Sequence, residues 1–135
     1  MKFRDLQGKI QSKNLSPYKR RAGQQSRSKG QATLGDILIN IWPNVPVYEE
    51  VPCVGTKLRL DFLIESLRIA FEFDGLQHQE YNSFLHGDRY KWLQSINRDD
   101  TKEKWCEQNN ISLIRITEKD LSLETIKEII NARYY

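Results

Sequence analysis

Two short runs, Lys57 to Ile64 and Ile69 to Asp74, alternate apolar and polar residues and constrain this chain more than any other feature. A period of two marks strands that bury one face. Only Glu65-Ser66-Leu67-Arg68 separates the runs, enough for a hairpin and too little for a crossover. The strands are therefore antiparallel neighbours, and symmetric pairing about the turn sets Asp61 opposite Glu72 and Arg59 opposite Asp74. Leu58, Leu60, Phe62 and Ile64 are expected on one face of the first strand, with Ile69, Phe71 and Phe73 on one face of the second. Asp61, Glu72 and Asp74 then point the other way.

The rest of the chain supplies elements around this hairpin. Thr33 to Ile41 carries Leu34, Ile37, Leu38 and Ile41 on one stripe and predicts a helix that Pro43 and Pro46 stop. Val45 to Cys53 predicts a strand broken by Pro52. After a polar loop at 76–88, a helix begins at Asp88 or Arg89, carries Trp92, Leu93, Ile96, Trp105 and Cys106, and ends near Asn109-Asn110. Trp92 and Trp105 read as core residues of that helix rather than base-stacking platforms. Ile111 to Ile116 predicts a fourth strand, and Leu123, Ile126, Ile129 and Ile130 mark a closing helix. The order predicts one α/β domain over 31–135, a mixed sheet of about four strands with helices on both faces.

Residues 1–30 differ in kind. They hold nine Lys or Arg against the single Asp5, a charge of +8, whereas the remaining residues carry 12 basic and 17 acidic groups, a charge of −5. With few apolar groups to offset ordering entropy, this segment reads as a flexible basic arm. Lys19, Arg20, Arg21, Arg27 and Lys29 are its candidate phosphate contacts, which points to nucleic acid as a partner. No run approaches the roughly 18 apolar residues needed to cross a bilayer. The first residues lack the apolar core of a secretory signal, so cytoplasmic residence is the expectation. Cys53 and Cys106 form no CxxC pair and are expected as reduced thiols.

Opposed carboxylates on neighbouring strands repel. A bound divalent cation would compensate, and hard oxygen ligands suit Mg²⁺ or Mn²⁺ rather than zinc. The alternative is a solvated sheet face on which Arg59 satisfies Asp74. His78, just past the second strand, is placed to take a proton from water attacking phosphorus. His86 is a second loop histidine, read as a packing residue ahead of a second catalytic one. Glu49 and Glu50 fall on the strand beside the hairpin, where one of them could join the acidic site or both could sit at an exposed strand end.

Leu60-Asp61-Phe62, then Phe71-Glu72-Phe73-Asp74-Gly75-Leu76-Gln77-His78, then Arg98-Asp99-Asp100-Thr101-Lys102 resemble the PD-(D/E)XK nuclease superfamily. The closer similarity is to its branch of very-short-patch repair and phage homing endonucleases, over Thr33 to Ile116. The resemblance implies a restriction-endonuclease-like fold, a Mg²⁺- or Mn²⁺-dependent cleavage of DNA, and site roles for matching residues. Asp61 and Glu72 would be metal ligands, joined by the carbonyl of Phe73. His78 would be a base or phosphate contact. Asp99, with Asp100 as its rival, would be the acid on the following helix, and Lys102 would stabilise charge on the phosphate. The chain departs from the pattern at the superfamily's motif lysine, where it has Asp74, and at the first-helix glutamate, where Gln31 and Asp36 lie nearest. No zinc-site spacing is present.

Two rival readings remain at this level. One is a DNA-binding protein that kept the nuclease fold without its chemistry, and the other is a ribonuclease. Whether the chain forms a homodimer or meets another protein partner is open.

Overall fold

A computed structural model describes residues 1–75 and 89–134. Its N-terminal segment is folded, which corrects the expectation of a flexible arm. β1 (Lys2–Arg4) pairs antiparallel with β2 (Ile10–Ser12). Phe3, 1% exposed, packs its ring 5.3 Å from that of Trp105, and Leu15 is buried in the same cluster. Asn109 clamps the hairpin from both sides, accepting from the Arg4 N–H at 2.7 Å and donating to the Arg4 carbonyl at 2.9 Å. Phe3 and Leu15 lie too far apart to show any period, so the local pattern carried no sign that this segment has its own share of the core.

Arg20 anchors the end of this segment. Its backbone N–H donates to the Val47 carbonyl at 2.8 Å, and its buried guanidinium donates to Glu49 at 2.5 Å and Asp36 at 3.0 Å. The expected boundary between residues 30 and 31 falls inside α1 (Lys29–Ile41), whose cap is Ser28, accepting from the Gln31 N–H at 3.1 Å. The helix therefore starts four residues before Thr33. Gly35 makes room for Arg20, because a Cβ there would stand 2.3 Å from the Arg20 Nε. Gly30 does the same for the Phe73 ring, which lies 2.2 Å from where a Cβ would be.

The main sheet has the spatial order β3 (Tyr48–Pro52), β4 (Arg59–Ile64), β5 (Ile69–Asp74) and β6 (Ser112–Thr117). β3, β4 and β5 are antiparallel in sequence, and β6 joins β5 in parallel after the crossover helix α2 (Arg89–Gln108). Phe62 faces Phe71, Leu63 faces Ala70 and Ile64 faces Ile69, the register that symmetric pairing predicts. Arg68 closes the turn in the left-handed region, φ 55°. α3 (Leu123–Tyr134) ends the chain's described part. Among the described residues no helix is long and apolar enough to cross a membrane.

Helices cover both faces, as expected. Trp105 and Cys106 of α2 pack with Phe3, Leu63 and Ala70 on one side. Leu34 and Leu38 of α1 and Ile126 and Ile130 of α3 pack with Phe62, Ile64 and Phe71 on the other. Leu93 and Ile96 of α2 are exposed, and the side chain of Trp92 lies outside the described residues.

One strand departs from simple alternation. Leu60 belongs to the cluster with Trp105, whereas Phe62 and Ile64 belong to the cluster with Leu34, so the expected single face of Leu58, Leu60, Phe62 and Ile64 changes sides at Asp61. The cause lies on β3. Its pairing with β4 runs Glu49–Phe62 and Val51–Leu60, and passes over Glu50 and Asp61. Glu50 has a left-handed φ of 56°, uncommon for a residue with a side chain, and both strands turn over at that step.

Candidate active site

The turnover at Asp61 frees backbone groups that a regular ladder would pair, and the carboxylates take them up. The Asp61 N–H donates to Glu72 Oε2 at 2.6 Å, and the Phe73 N–H donates to Asp61 Oδ2 at 2.8 Å. Both acids are 3% exposed. They interlock rather than merely oppose one another, each accepting a backbone hydrogen bond that burial would otherwise leave unmade.

Two cations balance the pair. Lys102 of α2 donates from Nζ to Glu72 Oε1. Arg27 donates to Asp61 Oδ1 at 3.2 Å. Burial, and then the charge of Glu72, push the Asp61 carboxyl up to about 7 despite the Phe73 hydrogen bond, Lys102 and Arg27. Burial works to lower the Lys102 ammonium, but Glu72 and Asp61 outweigh it and hold the group above its ordinary value. The negative charge is thus costly where it sits, and positive charge is favoured beside it.

These groups form the floor of a cleft of about 400 Å³. Arg27, Lys57, Arg59 and Arg98 stand around it, and Glu50, Asp74 and Asp99 contribute further carboxylates. Glu50 is joined to the floor through Arg27, 4.0 Å away, and is held by the buried amide of Gln31 at 2.9 Å. Gln31 also donates to Glu49 at 2.8 Å, which links the cleft to the Arg20 ion pair behind it.

Among the described residues, no three His, Cys, Asp or Glu side chains gather closely enough to hold a metal ion by themselves. The donor chemistry still fits a hard divalent cation. Mg²⁺ uses one or two carboxylates and completes its shell with water and phosphate oxygens. Asp61 and Glu72 could supply those carboxylates where added positive charge would relieve an unfavourable burial, and Phe73 and Glu50 line the same cleft.

The similarity of this chain to other proteins is to viral ones. "Uncharacterized protein 094L" of frog virus 3 (isolate Goorha) is 34% identical over an alignment of 108 residues that covers 73% of this chain and 68% of that protein. The chain belongs to the family of protein 094L. "Uncharacterized protein 033L" of invertebrate iridescent virus 3 is 27% identical over 71 residues, 53% of this chain and 37% of that protein. "Uncharacterized protein 307L" of invertebrate iridescent virus 6 is 29% identical over 67 residues, 48% of this chain and 34% of that protein. The chain thus spans little more than a third of either iridescent-virus relative. No protein-family model and no solved structure matches it.

In this member of the 094L family, Asp61, Glu72, Phe73, Asp99 and Lys102 all border one cleft. Between the two acids of α2, Asp99 is the one on the cleft wall, steadied by Arg115 at 3.5 Å, while Asp100 is exposed and pairs with Lys104 at 3.2 Å. Both the carboxylate and the backbone carbonyl of Asp99 are engaged by Arg115 of β6. His78 and His86 lie outside the described residues. Cys53 and Cys106 are free and buried, their thiols pushed up to about 12 by burial first of all.

The five basic residues expected to meet phosphate separate. Lys19, Arg21 and Lys29 are exposed but do not line the cleft. Arg20 is buried and committed to Glu49 and Asp36, so its assignment as a DNA contact is corrected. Arg27 lies at the carboxylate pair. Glu50, on the cleft, and Gln31, which holds it, are site residues that the sequence pattern does not single out. The adjacent acids Glu49-Glu50 hinted at a site, but only the left-handed turn at Glu50 sends the two to opposite duties.

Proposed function

We propose that this 094L-family protein is a metal-dependent endonuclease that hydrolyses DNA phosphodiester bonds, with a site of the PD-(D/E)XK type. The observation that carries the proposal is the buried, interlocked pair Asp61–Glu72 contacted by Lys102 at the foot of an open cleft. Replacing a buried ion pair with apolar groups commonly costs a fold little or nothing. A buried carboxylate with a raised pKa in a cleft, as Asp61 is, is therefore better accounted for by chemistry than by stability. The layout supports a restriction-endonuclease-like arrangement, with acids on the two strands of one hairpin and a helix crossover leading to a parallel strand.

Asp61 and Glu72 would hold Mg²⁺ or Mn²⁺ with the Phe73 carbonyl. When bound, such an ion polarises the phosphate and makes water a better nucleophile. Lys102 reaches Glu72 from α2 and fills the role of the motif lysine that Asp74 lacks, offsetting charge that builds on the phosphate. His78 would accept the proton of the attacking water. Asp99 would orient groups from the cleft wall. The setting we infer is the cytoplasm of an infected cell, in keeping with relatives encoded by viruses.

One observation favours a second reading, a DNA-binding protein without catalysis. Arg27 and Lys102 already balance both carboxylates, and the first-helix glutamate of the superfamily that the motifs resemble has no counterpart among the nearest residues, Gln31 and Asp36. Incubating the full chain with supercoiled, branched and single-stranded DNA, and with RNA, in Mg²⁺, Mn²⁺ or EDTA separates the readings. Cleavage of DNA that requires the metal and is lost in Asp61→Asn and Glu72→Gln supports the nuclease. Binding without cleavage under every condition supports the second reading, and cleavage confined to RNA changes the substrate.

A further inference from the structure

Arg27 occupies an unusual position for a surface arginine. Its side chain is 69% exposed, yet it donates to Asp61, a carboxylate whose side chain is 5% exposed. Its Nε also stands 4.0 Å from Glu50. The backbone on either side is pinned. Ser26 Oγ accepts from the buried Arg20 guanidinium at 2.6 Å, and the Gln24 carbonyl accepts from the same group at 2.8 Å. Ser28, the next residue, caps α1. The guanidinium can therefore swing, but its Cα stays at the lip of the cleft.

The other cation at the floor is different in kind. Lys102, with its side chain 15% exposed, is enclosed with its partner Glu72. Of the two counter-charges, Arg27 is the one a small cation can displace without exposing a buried group. Once released from Asp61 it remains within reach of whatever anion enters the cleft. A planar guanidinium matches two phosphate oxygens at once.

We infer that Arg27 is a phosphate-positioning residue that neutralises Asp61 before a divalent cation arrives and passes to a phosphate oxygen of the nucleic acid once it has. This rests on the metal-dependent reading above and adds an exchange step to it. No bond is made or broken: one ion pair and one metal–carboxylate contact trade places, and the freed guanidinium gains a phosphate.

Two measurements on the full chain test it without using turnover. In the first, Mn²⁺ is titrated calorimetrically into the parent, Arg27→Gln and Arg27→Lys in the absence of DNA. Loss of an exposed competing ion pair should tighten Mn²⁺ binding of Arg27→Gln by about two- to fivefold, and Arg27→Lys should stay near the parent. In the second, duplex binding is followed at several salt concentrations with Ca²⁺ present. Arg27→Gln should lose about 0.9 from the slope of log K against log[salt], the share of one phosphate contact.

Because Arg27 is exposed, both variants should melt like the parent. An unchanged Mn²⁺ affinity or an unchanged salt slope in Arg27→Gln overturns the inference. A parent that cleaves no nucleic acid while Arg27→Gln shows both shifts upholds the role of Arg27 and overturns the nuclease. A parent that cleaves in Mg²⁺ while Arg27→Gln shows neither shift does the reverse.

Discussion

The backbone amide of Asp61 donates to the carboxylate of Glu72 at 2.6 Å, across the point where β4 and β5 stop pairing as a ladder. The bond ties the position of one acid to that of the other. Glu72 is in turn anchored by Lys102, so a strand, its neighbour and the crossover helix converge on one carboxylate.

Asp61→Asn is expected to abolish cleavage while stabilising the metal-free fold. The sign follows from the raised Asp61 pKa. Its protonated form is favoured in the folded state, so its stabilising contribution is complete below the ordinary carboxylate value of 3.8 and is lost as pH rises through about 7. Thermal melts in EDTA at pH 4.5, 6 and 7.5 should show the variant gaining on the parent as pH rises, with little further change above that. A gap that shrinks with pH would contradict the burial argument.

Lys102→Met should be more damaging than its conservative size suggests. It leaves Glu72 buried beside Asp61 with no ammonium, a cost on the order of 3 kcal/mol for stranding one partner of a buried pair. Adding Glu72→Gln should recover part of that loss, because the stranded charge is then gone. Urea unfolding of the parent, both single variants and the double variant measures the interaction. Additive losses would mean that the two side chains do not act on each other.

Residues 1–30 should prove essential to folding. A chain beginning at Gln31 lacks Phe3, Leu15 and Arg20 and the first residues of α1. It is expected to be unfolded or aggregated by circular dichroism rather than an active core with weakened DNA binding. Within the intact chain, Arg20→Met should lower stability by about 3 kcal/mol, since Glu49 is left buried with the Gln31 amide but no cation. The salt dependence of DNA binding by its folded fraction should stay like the parent's.

His78→Ala is expected to lower the single-turnover rate by about 10²–10⁴-fold, the range for a positioned acid or base, with a much smaller change in DNA affinity. Rates measured from pH 6 to 8 check this. A variant that keeps the parental rate throughout would remove His78 from the chemistry.

The hairpin, its register and the placing of Asp61 beside Glu72 were legible in the sequence alone. Alternation reports which face is buried, and a turn of four residues leaves one symmetric pairing, so both signals are local. The crossover helix was legible for the same reason, whereas only the resemblance to the nuclease superfamily brought Asp99 and Lys102 to the hairpin. What the tertiary structure alone decided involves partners far apart in the chain. Phe3 meets Trp105, and Arg20 meets Glu49 at a separation of 29 residues; neither contact leaves a period or spacing to read. A cluster of basic residues therefore looked like a solvated arm until a carboxylate was found to bury one of them. Glu50 is the clearest case. Its left-handed backbone turns β3 and β4 over at Asp61, and no local preference of a glutamate announces that conformation. Its consequence is read only in three dimensions, with Val51 and Leu60 packed on one side of the sheet and Phe62 on the other.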